Sequence, residues 1–396
     1  MPAPIAHMLI SQKARAALRV KAEKDKSKYP RLSAFLDTVA DTHPKVMELG
    51  SLGPDLAYFE RLVTVIIEAL WGKGSRPKSL EPWSYQMHSK DPNILPLKMF
   101  EIIWKQSNPV NSNWEEDDHV KLAFLCGLLT HMAADHVIHP VVNQIAGPYY
   151  KSGANRATHQ ACEVSQDLYL LSRQTGGCLT WEAFKSQQAG CWCGMAKSAP
   201  GIMATVCASV FANWGAKLER CKRLFGKDVD LFADILPTSF RYMLQKAFVE
   251  AYGVGPSEAA MVKWVCGASF SLRMSARVGP YKDKYKNLFA PSGQLIRDGD
   301  AFQDYIELRK VQKRLGQYDA YVDRAAELAV IYITALYRLY EFIELEDEDR
   351  KWFKKVVRNA DLSGPLDVDL FQDAAEALNE WENDTRAQAK MTKALG

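Results

Sequence analysis

A long apolar segment between Leu122 and Ile145 is interrupted by three histidines and one aspartate. Ionisable groups in such a segment cost free energy unless they are paired or bind a metal. His131, Asp135 and His139 follow one another at intervals of four residues. Because each interval advances only about 40° around an α-helix, the three side chains are predicted to project from one side of a helix. The segment therefore predicts a buried helix that presents a row of metal-binding groups.

A second pair with the same spacing follows twenty residues after His139, where His159 precedes Glu163 by four residues. The stretch in between contains the turn-forming residues Gly147 and Pro148, so the chain can fold back and place the second pair against the first. His139, His159 and Glu163 then form a set of two histidines and one carboxylate. A catalytic zinc site uses three such protein ligands and keeps one position open.

The rest of the chain has few strand signals and long stretches with helical periodicity, which predicts an all-α fold. The predicted helices cover approximately residues 8–23, 31–40, 56–72, 95–106, 118–146, 156–173, 202–224, 231–252, 257–277, 302–315, 318–346 and 367–384. The polar stretch 279–300 is rich in Gly, Pro and Lys and is the best linker candidate. We therefore expect a helical domain over residues 1–278, a linker or loop over 279–300, and a helical extension of unknown role over 301–396.

Composition and charge exclude several classes of protein. The chain has 396 residues, of which 47% are hydrophobic and 24% charged, so it is not a disordered or low-complexity protein. A net charge of +3 does not call for a nucleic-acid partner, and no stable nucleic-acid complex is expected. No transmembrane segment is expected, because no run reaches about 18 uninterrupted apolar residues. The oligomeric state is not predicted.

Two features bear on location. The N-terminus lacks a basic region followed by an apolar stretch, so no secretory signal is seen and a cytoplasmic location is expected. The basic positions Arg309, Lys310, Lys313 and Arg314 alternate with apolar residues. They could contact anionic lipid or form a solvated helix face, and peripheral membrane contact stays open.

The metal-binding pattern resembles the zinc-dependent phospholipase C family, whose all-helical fold is shared with the single-strand-specific zinc nucleases. That family has a His-x-x-x-Asp helix, a following His and a later His-x-x-x-Glu, which correspond here to His131, Asp135, His139, His159 and Glu163. The resemblance covers about residues 5–170. It implies a multi-helix bundle of the phospholipase C and zinc nuclease type.

Upstream motifs extend this resemblance. The segment Gly50-Ser-Leu-Gly-Pro-Asp55 is similar to the family's glycine-rich turn, which ends in a metal-binding aspartate. His88 lies where the family has another metal ligand, and His7 resembles the N-terminal ligand histidine.

The resemblance implies an allocation of ligands to two or three Zn²⁺ ions. One ion would be held by Asp55, His88, His131 and Asp135, and a second by His139, His159 and Glu163. A third would use His7 and a bridging Asp135. Secreted family members complete that third site with the N-terminal amine of the mature chain. Six residues precede His7 here, so a weak or absent third ion is also compatible with the sequence.

The activity implied is that of a zinc-dependent hydrolase of phosphodiester bonds, acting on a phospholipid or another phosphodiester. A metal-bound hydroxide would attack, because zinc lowers the pKa of bound water. Asp135 and Asp55 are the candidate catalytic residues, and the sequence leaves open whether Asp55 is a base or only a ligand. Nuclease-type or other metal-dependent hydrolysis on the same fold, and a non-catalytic zinc-binding scaffold, remain as alternatives.

Two other metal-dependent classes are disfavoured. A di-iron carboxylate bundle needs Glu-x-x-His elements, whereas the spacing here is four residues. An HD-type phosphohydrolase needs a His-Asp dipeptide, and the sequence contains none.

Overall fold

The computed structural model of the chain describes residues 4–59, 82–89, 91–107, 114–147, 238–258, 318–342, 344–359 and 369–395, and the single positions 149, 151, 152, 155, 159, 162, 163, 166, 170, 260, 261 and 264.

Regular structure in these residues is entirely helical, which confirms the all-α prediction. The helices are α1 (Pro4–Lys24), α2 (Leu32–Phe35), α3 (Pro44–Gly50), α4 (Gly53–Leu56), α5 (Pro82–Ser89), α6 (Ile94–Gln106), α7 (Glu116–Ala146), α8 (Thr238–Tyr252), α9 (Tyr318–Tyr340), α10 (Asp347–Val356), α11 (Leu370–Glu382) and α12 (Thr385–Leu395). A π-helical segment, Leu36–Asp41, follows α2, and a short 3₁₀ turn, Ala57–Phe59, follows α4.

The predicted boundaries are closest for the long periodic helices. The prediction 118–146 corresponds to α7 and the prediction 95–106 to α6, each within two residues. No helix is predicted from the sequence at α3, α5, α10 or α12, and the predicted helix 56–72 overlaps α4 only at Leu56. Pro44 and Pro82 each stand in the first turn of a helix, where proline is tolerated, although at the sequence level they signal a break. The predicted helices 202–224 and 302–315, most of 56–72 and 257–277, and the linker 279–300 lie outside the described residues.

Among the described helices, α7 is the central one and packs against α9, α3, α1 and α6. It begins at a capping box, in which the Asp118 carboxylate accepts a hydrogen bond of 3.1 Å from the backbone N–H of Glu115. Three acidic residues in the first turn stabilise the helix, because their negative charges lie at the positive end of the helix dipole. The stretch Glu116–Gln144 is long and apolar enough to cross a membrane, but its most apolar part is fully buried within the protein, as in a core helix.

Two glycines allow α3 and α7 to touch backbone to backbone. A Cβ atom at Gly127 would lie 2.0 Å from the carbonyl oxygen of Met47, and one at Gly50 would lie 2.1 Å from that of Phe124. Neither position can accept a side chain without separating the helices. This close approach brings the turn after α3, which leads to Asp55, next to the central row of α7.

The C-terminal helices contribute to the same hydrophobic core. Helix α9 packs against both α7 and α1, and its buried side chains join the core formed by the N-terminal helices. Arg338 of α9 is 2% exposed and forms ion pairs with Glu341 at 2.9 Å and Glu382 at 3.2 Å. It also donates to the carbonyl of Lys28, in the segment after α1, at 3.0 Å. The predicted domain boundary at 279–300 stays a prediction, while residues after 318 help to enclose α7.

Candidate metal centre

Eight ionisable side chains from several helices converge beside α7, and all of them are buried. We call this set the acid–histidine cluster; it consists of His7, Asp55, His88, His131, Asp135, His139, His159 and Glu163. Its central row, His131, Asp135 and His139, lies on α7. The remaining members come from α1, α4, α5 and the described helical positions at 159 and 163.

Three atoms at the centre of the cluster form a nearly equilateral triangle. The Nε2 atoms of His88 and His131 are 3.3 Å apart, and the Oδ2 atom of Asp135 lies 3.3 Å from the first and 3.0 Å from the second. Two ligands at about 2.0–2.1 Å from a tetrahedral zinc ion are about 3.3 Å apart. The triangle thus has the size of one face of a zinc coordination tetrahedron. Asp55 lies beside it, with Oδ1 3.3 Å from His88 Nε2.

Backbone carbonyls orient both histidines of the triangle. His131 Nδ1 donates to the Ser51 carbonyl at 2.9 Å, and His88 Nδ1 donates to the Ser84 carbonyl at 2.7 Å. A carbonyl only accepts hydrogen bonds, so the proton of each neutral ring is on Nδ1 and the lone pair is on Nε2. Metal-binding histidines are typically held in this way by their second nitrogen.

Asp135 connects the triangle to the rest of the cluster. Its Oδ2 atom belongs to the triangle, whereas Oδ1 lies 3.4 Å from His7 Nε2 and 3.4 Å from His139 Nε2. A carboxylate with its two oxygens in different groups of donors can bridge two metal ions.

The second group consists of His139, His159 and Glu163, whose potential ligand atoms lie within 4.8 Å of one another. Glu163 Oε1 is 2.9 Å from His159 Nε2 and 3.5 Å from His139 Nε2. This is the set of two histidines and one carboxylate that the sequence predicted.

His7 enters the cluster from the start of α1. Its ring stacks on that of His131, with centroids 4.3 Å apart, and its Nε2 atom is 3.7 Å from Asp55 Oδ2. The potential ligand atoms of His7, His131 and Asp135 form the third group, again within 4.8 Å. Among the described residues, only His7 belongs to this third group alone, because His131 and Asp135 are also members of the triangle.

The charges in the cluster leave it with a strong preference for cations. Burial opposes protonation of His88, but Asp135 and Asp55 outweigh burial and raise the pKa of His88 to about 10. Burial opposes protonation of His139 as well, and Asp135 and Glu163 raise its pKa to about 9. Burial would raise the pKa of Asp135, yet neighbouring histidines hold it well below the usual range. Without a metal, these histidines thus keep protons that balance buried carboxylates.

Several polar atoms of the cluster make no hydrogen bond within the described part of the chain. They include Asp55 Oδ2, Asp135 Oδ2, His7 Nδ1 and His159 Nδ1. Buried polar atoms normally have a partner, since an unmet one costs free energy. Oxygen and imidazole nitrogen donors of this kind fit Zn²⁺.

The three remaining histidines lie elsewhere. His136 is on the opposite side of α7, where its Nδ1 atom is 3.1 Å from the hydroxyl of Tyr332. His43 and His119 both lie near Glu116, at 3.1 Å and 3.9 Å. On an ideal α-helix His136 is turned about 140° from His131, so helix geometry by itself excludes it from the row of His131, Asp135 and His139.

Two aromatic residues flank the cluster. Tyr149 packs edge-on against His159, with centroids 5.0 Å apart, and Tyr58 lies 5.8 Å from the His88 ring. The two tyrosine rings are 6.2 Å from each other.

The role of the Ser51 and Ser84 carbonyls in orienting His131 and His88 could not be predicted from the sequence. Every residue carries a backbone carbonyl, and only the fold determines which of them contacts a histidine ring.

Comparisons with known proteins give one positive result. The model of the family described as "Zinc dependent phospholipase C" matches residues 6–205, half of the chain. No curated protein and no solved structure matches the chain. The matched region contains all eight residues of the acid–histidine cluster, six of which lie on helices between α1 and α7. The chain therefore belongs to the zinc-dependent phospholipase C family.

Proposed function

We propose that the chain is a zinc-dependent hydrolase of phosphodiester bonds, with a phospholipid or a related phosphodiester as substrate. The observation that carries this proposal is the triangle of His88 Nε2, His131 Nε2 and Asp135 Oδ2, with edges of 3.0–3.3 Å. Family membership supports it independently.

The ligands divide into groups that share Asp135. Asp55, His88, His131 and Asp135 would hold one ion, and His139, His159 and Glu163 a second. His7 and Asp135 would contribute to a third. The distances between donors support this division, because each histidine has a carboxylate oxygen within 3.5 Å.

Zinc ions held here would lower the pKa of water toward neutrality and offset the charge that develops on phosphoryl oxygens. The protein's own contribution is to fix the donors and to receive a proton. Asp55 presents Oδ1 to His88 at 3.3 Å, while its Oδ2 atom accepts no hydrogen bond from the described residues. One oxygen can thus serve as a ligand while the other accepts a proton from the attacking water.

The flanking tyrosines fit a substrate that carries an apolar or cationic headgroup. Tyr58 and Tyr149 are half-buried and lie next to His88 and His159, from the two main groups of ligands. An aromatic face beside the reacting phosphate could hold a quaternary ammonium group.

Two histidines on the same helix provide a matched test. His139→Gln removes a donor from the cluster, whereas His136→Gln changes a buried histidine that faces Tyr332. We expect His139→Gln to lose zinc and phosphodiester hydrolysis together, and His136→Gln to keep both. Chelation should abolish wild-type turnover and added zinc should restore it.

The substrate panel separates the alternatives. It should include phosphatidylcholine vesicles, bis(p-nitrophenyl) phosphate and single-stranded DNA and RNA. Hydrolysis of phosphatidylcholine supports the proposal, whereas preferential cleavage of nucleic acid would favour the nuclease alternative. Zinc binding without turnover of any substrate would favour a non-catalytic scaffold.

A further inference from the structure

Ser84 contacts two different parts of the acid–histidine cluster. Its side chain is completely buried, and its hydroxyl donates to the carbonyl of Pro54, thirty residues earlier, at 2.9 Å. Its own carbonyl accepts the hydrogen bond of 2.7 Å from His88 Nδ1. The hydroxyl is farther from that ring nitrogen, at 3.4 Å, so the ring proton goes to the carbonyl and the hydroxyl proton goes to Pro54.

The bond to Pro54 acts on the adjacent aspartate. Because a peptide unit is planar, fixing the Pro54 carbonyl also fixes the direction in which the chain enters Asp55. Within the four-residue helix α4, the N–H of this peptide unit donates to the Leu52 carbonyl at 3.0 Å, whereas its oxygen accepts the Ser84 hydroxyl. The Ser84 hydroxyl therefore supplies a restraint from a separate helix.

The bond to His88 acts on the ring itself. With Nδ1 held by the Ser84 carbonyl, Nε2 points to the triangle and lies 3.3 Å from Asp55 Oδ1 and 3.3 Å from Asp135 Oδ2. One residue thus sets the position of a carboxylate from α4 relative to an imidazole from α5.

We infer that Ser84 is a positioning residue for the metal centre, because its hydroxyl locks the Pro54–Asp55 peptide in register with His88. This inference rests on the proposed function, since the relative placement of these two ligands matters only when a metal is bound. Ser84 itself is not a ligand. Its removal should weaken zinc binding without removing any donor atom of the cluster.

The test compares two identical substitutions in the full-length chain. Ser84→Ala removes the hydroxyl that bonds to Pro54, whereas Ser107→Ala removes a buried hydroxyl, just after α6, that donates to the Trp104 carbonyl three residues earlier, at 3.1 Å. Zinc affinity is measured by competition with a chromophoric chelator. We expect Ser84→Ala to bind zinc ~10–100-fold more weakly, the usual effect of losing an outer hydrogen-bond partner of a metal ligand. Ser107→Ala is expected to keep the wild-type affinity.

A second measurement distinguishes positioning from a general loss of stability. In an Asp55→Ala background, Ser84→Ala should cause little further loss of zinc affinity, because the ligand through which it acts is already gone. If Ser84→Ala fails to fold, Ser84→Cys replaces the hydroxyl by a weaker donor of similar size and serves in the same comparison.

The outcomes are distinct. Wild-type protein that binds zinc while Ser84→Ala and Ser107→Ala bind it equally well would overturn the inference and leave the proposed function intact. Losses that add fully in the Asp55→Ala background would also overturn it. Wild-type protein that binds no zinc would overturn the proposed function itself.

Discussion

The Nε2 atoms of His88 and His131 face each other at 3.3 Å in the protein interior, while Nδ1 of each ring donates to a backbone carbonyl. In the neutral rings both facing atoms carry lone pairs, which repel each other unless a cation lies near both. A proton can occupy this position, and a zinc ion would compete with it for the same lone pairs.

This competition predicts that zinc binding releases protons. At pH 7 the metal-free protein holds protons on His88 and His139, whose pKa values are raised to about 10 and about 9. Zinc needs the unprotonated nitrogens, so full loading should release about two protons per chain. Titration calorimetry in buffers of different ionisation enthalpy gives this number. Zinc uptake without proton release would show that the two rings are neutral beforehand.

The same pKa shifts predict how stability depends on pH. His88 and His139 bind protons more tightly in the folded protein than at the value of about 6.5 in an unfolded chain. Their contribution is complete below about pH 6.5 and is lost as pH rises through about 9 to 10. His7 acts in the opposite direction, because burial lowers its pKa to about 4, so its protonation favours unfolding as pH falls from about 6.5.

Denaturant unfolding over a pH series measures this effect. We expect the free energy of unfolding of chelator-treated protein to decline from about pH 7 to 10, and zinc to reduce that decline because it replaces the protons. Equal alkaline slopes with and without zinc would contradict the predicted exchange.

A methyl group at Gly127 should disturb the contact between α3 and α7. The new Cβ would lie 2.0 Å from the Met47 carbonyl, a backbone atom that cannot rotate away. We expect Gly127→Ala to reduce the free energy of unfolding by about 1–3 kcal/mol and to weaken zinc binding through the His131–Ser51 bond. Gly53→Ala is the control, because its nearest contact is the flexible Leu128 side chain at 3.3 Å. Equal free energies of unfolding for the two variants would contradict the proposed role of the contact between α3 and α7.

The sequence could predict the features that depend on local periodicity. The row of His131, Asp135 and His139 follows from the geometry of a single helix, and so does the exclusion of His136. The proximity of Asp55 and His88 to that row could be predicted only from the family resemblance. Separate helices carry these residues, and spacing along the chain does not determine the distance between them.

Other features could not be predicted because they depend on the tertiary fold. The packing of α9 on α7 joins residues about 200 positions apart, as the bond between His136 and Tyr332 illustrates. Nothing in the local pattern of either helix specifies the partner. The short helices α3 and α5 were missed for a different reason: a proline in the first turn of a helix cannot be distinguished, in sequence, from a proline in a loop.

Arg338 should be important for the stability of the whole molecule. It lies buried between Glu341 and Glu382 and above the Tyr29 ring, so its removal takes a buried positive charge away from both carboxylates, of which Glu382 keeps Lys28. We expect Arg338→Ala to lower the free energy of unfolding by about 3–5 kcal/mol. Arg386→Ala is a control, because that half-buried arginine pairs with the exposed carboxylates of Glu346 and Glu348.

The shape of the unfolding curve adds information about the role of the C-terminal helices. If α9 completes the core around α7, wild-type protein should unfold in one transition, and Arg338→Ala should shift that transition as a whole. Two separate transitions, with only one shifted by the substitution, would instead indicate an independent C-terminal unit.

The most direct test of the metal centre is the zinc content of purified wild-type protein and Asp135→Ala, measured together with phosphodiester turnover. Asp135 is the residue whose two oxygens face both groups of ligands. Asp323→Ala provides the control, because that residue is exposed on α9 and pairs with Lys13. We predict two or three zinc ions in the wild type and the control, and a loss of about two ions and all turnover in Asp135→Ala. Unchanged zinc content in Asp135→Ala would contradict a metal centre built around this carboxylate.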